Sequence, residues 1–79
     1  MAVYVLIRKI SENDQFAEYE YGPNEDRLGK IKLIKFSGES EIIQEVTGDE
    51  NQIYSARAAR KLFLHWKNGE FPDRTCWAS

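Results

Sequence analysis

The stretch SARAARKLFLHWKN, residues 55–68, decides the reading of this chain. It is rich in Ala, Arg, Lys and Leu and has neither Gly nor Pro, a composition that favours helix. At about 100° per residue, Ser55, Ala56, Ala58, Ala59, Leu62, Phe63 and Trp66 fall in one arc. Arg57, Arg60, Lys61, Leu64, Lys67 and Asn68 fill the other side, which predicts an amphipathic helix. Asn68 and Gly69 supply a left-handed C-terminal cap, and Pro72 keeps the helix from resuming. Three signals compete for its start: Asp49 with Gln52, Thr47 with Glu50, or Ser55 alone.

Everything upstream reads as strand. Val3 to Ile10 is β-branched and aromatic, with Val3, Val5 and Ile7 on one parity and Tyr4, Leu6 and Ile10 on the other. SEND (residues 11–14) is turn chemistry. In QFAEYEY (15–21), Ala17, Tyr19 and Tyr21 alternate with Glu18 and Glu20, the pattern of a half-buried strand. GPNEDR (22–27) breaks it. LGKIKLIKF (28–36) sets Ile31 and Leu33 against Lys30 and Lys32. Its phase slips at Leu33–Ile34, which predicts a β-bulge that turns Ile34 and Phe36 to the other parity. SGES (37–40) is a turn, and EIIQEV (41–46) is a fourth short strand.

Short connections make an antiparallel meander the simplest topology. The expected fold is therefore α+β, a single domain over residues 1–79. Four antiparallel strands are followed by one helix packed on one face (ββββα), and the C-terminal tail folds back.

Strand 1 adds a constraint. One helix covers one face of the sheet, yet both parities of this strand are apolar. If Val3, Val5 and Ile7 lie under the helix, then Tyr4, Leu6 and Ile10 need cover of their own. Leaving such side chains in water forfeits roughly 1.5–3 kcal/mol each. The tail from Phe71 to Trp77, or a second copy of the chain in a homodimer, is expected to supply that cover.

Composition bounds the function. A chain of 79 residues with one Cys and one His has neither an internal disulfide nor the four ligands of a structural zinc. Packing must stabilise it. No apolar run approaches the ~20 residues that span a bilayer. The apolar start precedes its basic residues, the reverse of a secretory signal, so a cytosolic location is expected. No glycine spacing matches a phosphate loop, and no catalytic, cofactor or metal site is expected.

The chemistry-bearing residues gather near the C-terminus. Trp66 lies near the centre of the apolar arc and is expected in the core. Trp77 is expected to cover a sheet edge or face. His65 and Cys76 are the one pairing capable of nucleophilic chemistry. No strand-to-helix elbow, orienting group or glycine-rich oxyanion loop accompanies them, so the chain is not expected to be an enzyme. Glu18 and Glu20 sit about 7 Å apart on one strand face. A glycosidase needs a deep cleft as well, and a solvated face is the simpler reading.

Charge is distributed unevenly. Residues 12–26 carry six acids and no base, and residues 39–50 carry five more acids. Bases concentrate on Lys30, Lys32 and Lys35 and on the helix (Arg57, Arg60, Lys61, Lys67). Leu64 projects from the centre of that basic face, an apolar anchor ringed by charge. The expectation is a small non-catalytic protein that binds a protein partner, in the manner of an inhibitor, immunity protein or antitoxin. Its candidate contact residues are Arg57, Arg60, Lys61, Leu64 and Lys67, together with Glu18 and Glu20 as an acidic surface for a basic cleft. The alternative is a nucleic-acid-binding module using the basic helix. A net charge of −2 and a lack of aromatic residues on the basic face weigh against it.

Overall fold

The computed structural model of the chain describes residues 3–49 and 51–78. These form β1 (Tyr4–Glu12), β2 (Phe16–Asn24), β3 (Arg27–Ile34), β4 (Ser40–Gln44), α1 (Ile53–Lys67) and β5 (Arg74–Ala78). The strands make a single antiparallel sheet in the order β4-β3-β2-β1-β5. The expected meander is present with one helix packed on it. The tail folds back as a fifth strand along the free edge of β1, rather than as a cover over a face.

The turns have local causes. Asn13 accepts hydrogen bonds through Oδ1 from the N–H groups of Gln15 and Phe16, at 2.8 and 2.9 Å. Asn24 does the same for Asp26 at 2.9 Å. Such side-chain acceptors stand in for a backbone carbonyl and bend the chain.

Alternation sorts the side chains. Val5 and Ile7, Ala17, Tyr19 and Tyr21, and Ile31 and Leu33 all face α1 and are fully or almost fully buried. Ala58 and Leu62 meet them from the helix, and Val46 closes the β4–α1 connection. A small residue at Ala58 lets the helix approach the sheet closely, while Leu62 fills the space one turn on. Trp66 joins the rim of this core, and its indole Nε1–H donates to the Lys35 carbonyl at 2.7 Å. That is the partner a buried indole needs.

β3 carries no bulge at Leu33–Ile34. Ile34 continues the alternation opposite Phe16, and the strand ends there. Phe36 belongs to the following turn and is 93% exposed. The register shifts fall elsewhere: at Ile10 in β1, between Tyr21 and Asn24 in β2, and where Lys30 and Ile31 meet Gln44 and Ile42.

α1 begins at Ile53, and of the competing start signals Asp49 is the one that meets its first N–H groups; Glu50 of the Thr47 pair lies outside the described residues. The Asp49 carboxylate accepts the N–H groups of Ile53, Tyr54 and Ser55 at 2.8–3.3 Å. A negative charge there also complements the helix dipole. Gln52 is the N-cap residue, in left-handed geometry at φ 55°, and its side chain turns away to Glu45. At the other end Glu70 N–H donates to the His65 carbonyl and Gly69 N–H to the Trp66 carbonyl, both at 2.9 Å. With Gly69 at φ 73°, this is the Schellman arrangement that Asn68–Gly69 predicts.

Candidate interaction surface

The outer side of α1 is a basic stripe. The helix sequence from Ile53 to Lys67 holds Arg57, Arg60, Lys61 and Lys67 and no acid. Among the described residues none of these four bases lies within ion-pair distance of a carboxylate. Arg57, Arg60 and Lys67 are exposed, and Lys61 is half-buried at the border. Leu64 lies among them, 36% exposed. The residues Ile53, Arg57, Arg60, Leu64 and Lys67 follow spacings of four, three, four and three, so they align along one line of the cylinder. Ile53 is 42% exposed and extends the stripe. Its place on the stripe depends on the helix starting at Ile53, a start the sequence left open.

Two aromatic rings lie under the bases at the edges of this stripe. The Arg57 guanidinium stands 5.5 Å from the Trp77 ring centre, and the Lys67 ammonium 5.8 Å from that of Phe63. Trp77 faces the helix side because it pairs with Val5 across the β1–β5 ladder. The cation stacked on it links the helix to the last strand.

Glu18 and Glu20 have different surroundings. Both project from the open side of the sheet, opposite the helix. Glu18 pairs directly with Lys32 and Glu20 with Lys30 in the β2–β3 register. Arg8 reaches Glu20 at 3.1 Å and Glu25 at 3.2 Å, and Lys32 reaches Glu41 at 3.7 Å. The acids of residues 12–26 and the lysines of β3, separate in sequence, are thus interleaved across neighbouring strands. Opposite charges placed in this way attract. Glu20 is thereby engaged by Arg8, while Glu18 faces Lys32 across the strand pair.

A second charged knot ties the sheet to the segment after the helix. Glu12 holds Lys35 and Lys9, each at 2.6 Å, and Lys9 also donates to the Phe71 carbonyl at 2.7 Å. Hydrogen bonds from Lys35 and then Lys9 hold the Glu12 carboxyl down at about 2. Next to it, burial pushes the Tyr19 phenol up to about 12, and its O–H donates to the Pro72 carbonyl at 3.1 Å. These bonds fix the path from α1 into β5.

His65 and Cys76 do not meet. Thr75 pairs with Ile7 and lies on the helix side, so Cys76, opposite Leu6, lies on the open side. The imidazole instead joins Glu70 through Nδ1 at 3.0 Å and Thr75 through Nε2 at 3.1 Å. A carboxylate oxygen accepts from a proton on Nδ1, and a hydroxyl can serve Nε2 as donor or acceptor. The bridge ties the last turn of α1 to β5, and the Cys–His pairing considered from sequence is not formed.

Among the described residues no three His, Cys, Asp or Glu side chains gather as a metal site, and no helix is long and apolar enough to cross a membrane. No protein-family model, curated protein or solved structure matches the chain.

Proposed function

We propose that the chain is a small non-catalytic cytosolic protein that binds an acidic surface of a protein partner through the outer face of α1. It would act by occupying that surface, as an inhibitor, immunity protein or antitoxin does. One observation supports this reading above others: on the sheet Arg8, Lys9 and Lys32 reach carboxylates, while the four bases of α1 have no acid within ion-pair reach among the described residues. A rigid basic stripe with Leu64 at its middle matches the anatomy of an interface, an apolar anchor within a charged rim. Unpaired charge also raises encounter rates with a partner of opposite sign.

The test compares three proteins as bait in affinity capture with quantitative mass spectrometry. They are the wild type, Arg60→Glu/Lys61→Glu and Glu18→Lys/Glu20→Lys. A partner retained by the sheet variant and lost by the helix variant supports the proposal. Equal retention by the helix variant overturns it.

Nucleic acid is the second reading, and it gains from the rings beside the bases. Trp77 under Arg57 and Phe63 beside Lys67 supply the aromatic component that the linear sequence hid. Fluorescence anisotropy with single-stranded and duplex oligonucleotides, titrated with salt, separates the two. Absence of binding at low salt ends this reading. Self-association through the open sheet face, where Tyr4 is 51% exposed, would double the native mass.

A further inference from the structure

We infer that the open face of the sheet carries a binding trough for a small organic anion with a flat apolar body, its charged end held by Arg74. The inference begins from the register. Leu6 pairs with Gly22 on one side and with Cys76 on the other. Cys76 has a short side chain, so this row dips on the β5 side of Leu6, while on the β2 side the Arg27 carbonyl closes over Gly22. The row beyond it runs Glu20, Arg8, Arg74, and the row before it pairs Tyr4 with Ala78. Arg8 and Arg74 on one side and Tyr4 on the other stand above Leu6 and Cys76, which makes a trough. A cavity of about 350 Å³ lies there, lined by Tyr4, Leu6, Arg8, Glu25, Arg74 and Cys76 among others. That volume falls at the lower end of what small-molecule sites enclose.

Gly22 marks the end of the trough on the β2 side. A Cβ there would come within 2.0 Å of the Arg27 carbonyl oxygen, because β2 bends away at its register shift. The backbone of the hairpin therefore walls off the trough on the β2 side.

Its charge is asymmetric. Arg8 and Arg74 stand directly opposite each other, an arrangement that repels. Arg8 is drawn to Glu20 and Glu25 on its other side. Arg74 has no carboxylate within ion-pair distance among the described residues. A guanidinium with its fork free, at the rim of an apolar floor, suits a carboxylate or sulfonate in bidentate contact. Tyr4 and Leu6 then meet the apolar body. This site lies across the sheet from the basic stripe of α1, so its fate is independent of the proposed partner.

The probe is 3-phenylpropionate, titrated into the isotopically labelled protein and followed by amide chemical shifts. Its neutral amide serves as the comparison. Saturable shifts are expected at Tyr4, Leu6, Arg74 and Cys76, with the neutral amide about tenfold weaker. Arg74→Gln removes the preference for the acid without disturbing the fold, since the side chain is exposed. Cys76→Leu fills the trough and weakens both probes. Equal affinity for acid and amide, shifts centred elsewhere, no saturable shifts, or an unaltered preference in Arg74→Gln overturns the inference.

Discussion

Gly38 lies flat against the indole of Trp66: a Cβ on this glycine would fall 2.6 Å from the ring. The ring has little freedom to yield. Phe63 stacks on it at 5.7 Å and its N–H is held by the Lys35 carbonyl. Gly38 also has φ 78°, where a side chain is strained. Gly38→Ala is therefore expected to destabilise the protein by about 2–4 kcal/mol, from backbone strain and overpacking together. Gly69→Ala is the control, at φ 73° with nothing within 4 Å of its Cβ. It keeps only the conformational part, about 1–2 kcal/mol. Urea denaturation of the two variants measures the difference.

Asp49 and Gln52 predict changes of opposite sign at the other end of the helix. Asp49→Ala strips three N–H groups of their acceptor and should cost about 1–2 kcal/mol. Gln52→Gly relieves a left-handed residue at φ 55° and should be neutral or stabilising by up to about 1 kcal/mol. Thermal melts of both variants, with helix content from circular dichroism, check the signs.

Stability should fall at both extremes of pH, for separate reasons. Glu12 titrates at about 2 in the folded protein against an ordinary 4.5. Unfolding takes up its proton, so its contribution is full above 4.5 and is lost as pH falls through about 2. Tyr19 titrates at about 12 against an ordinary 10. Its contribution is full below 10 and is lost as pH rises through about 12. Melting temperatures across pH should show both limbs. Glu12→Gln should flatten the acid limb, and Tyr19→Phe the alkaline one.

The last strand is expected to be indispensable. Truncation after Gly69 removes the whole β5 pairing with β1, and the fragment should lose its cooperative melt. Trp77→Ala is milder because the ring is half-buried. It should cost roughly 2–3 kcal/mol, less than a fully enclosed Trp. A truncated chain that melts as the wild type does would show that β5 contributes nothing.

The elements legible in the sequence were those whose periodicity has a buried side. Tyr19 and Tyr21 alternating with Glu18 and Glu20, and Leu62 one turn from Ala58 and Trp66, record their own environments. β5 was hidden because RTCWA is short and both of its sides are mixed. Pairing with β1, some seventy residues earlier in the chain, makes it a strand, and a local pattern cannot report that. Ile34 and Phe36 misled for a related reason. An apolar residue on the open face and another in a turn mimic a change of phase, although the pleat continues without interruption as far as Ile34. Linear runs of acid and base say nothing about cross-strand register, so the sequence did not show that Glu18 and Glu20 face Lys32 and Lys30. On α1 it identified the residues that line one face, since there neighbours in space are neighbours in sequence.

The placement of β5 beside β1 has a kinetic consequence. The ladders of β1 with β2, β2 with β3 and β3 with β4 join segments close in sequence, but Val5 meets Trp77 only after a loop of more than seventy residues closes. Closure of so long a loop costs entropy before any contact rewards it, so the meander is expected to form in the rate-limiting step and β5 to dock after it. Substitutions such as Thr75→Ala should then leave the refolding rate nearly unchanged and speed unfolding, while Ile31→Val should slow refolding. Until β5 arrives, the unpaired backbone of β1 is an open edge. The lifetime of that intermediate edge, rather than the stability of the finished sheet, sets how readily the chain pairs with a neighbour during folding.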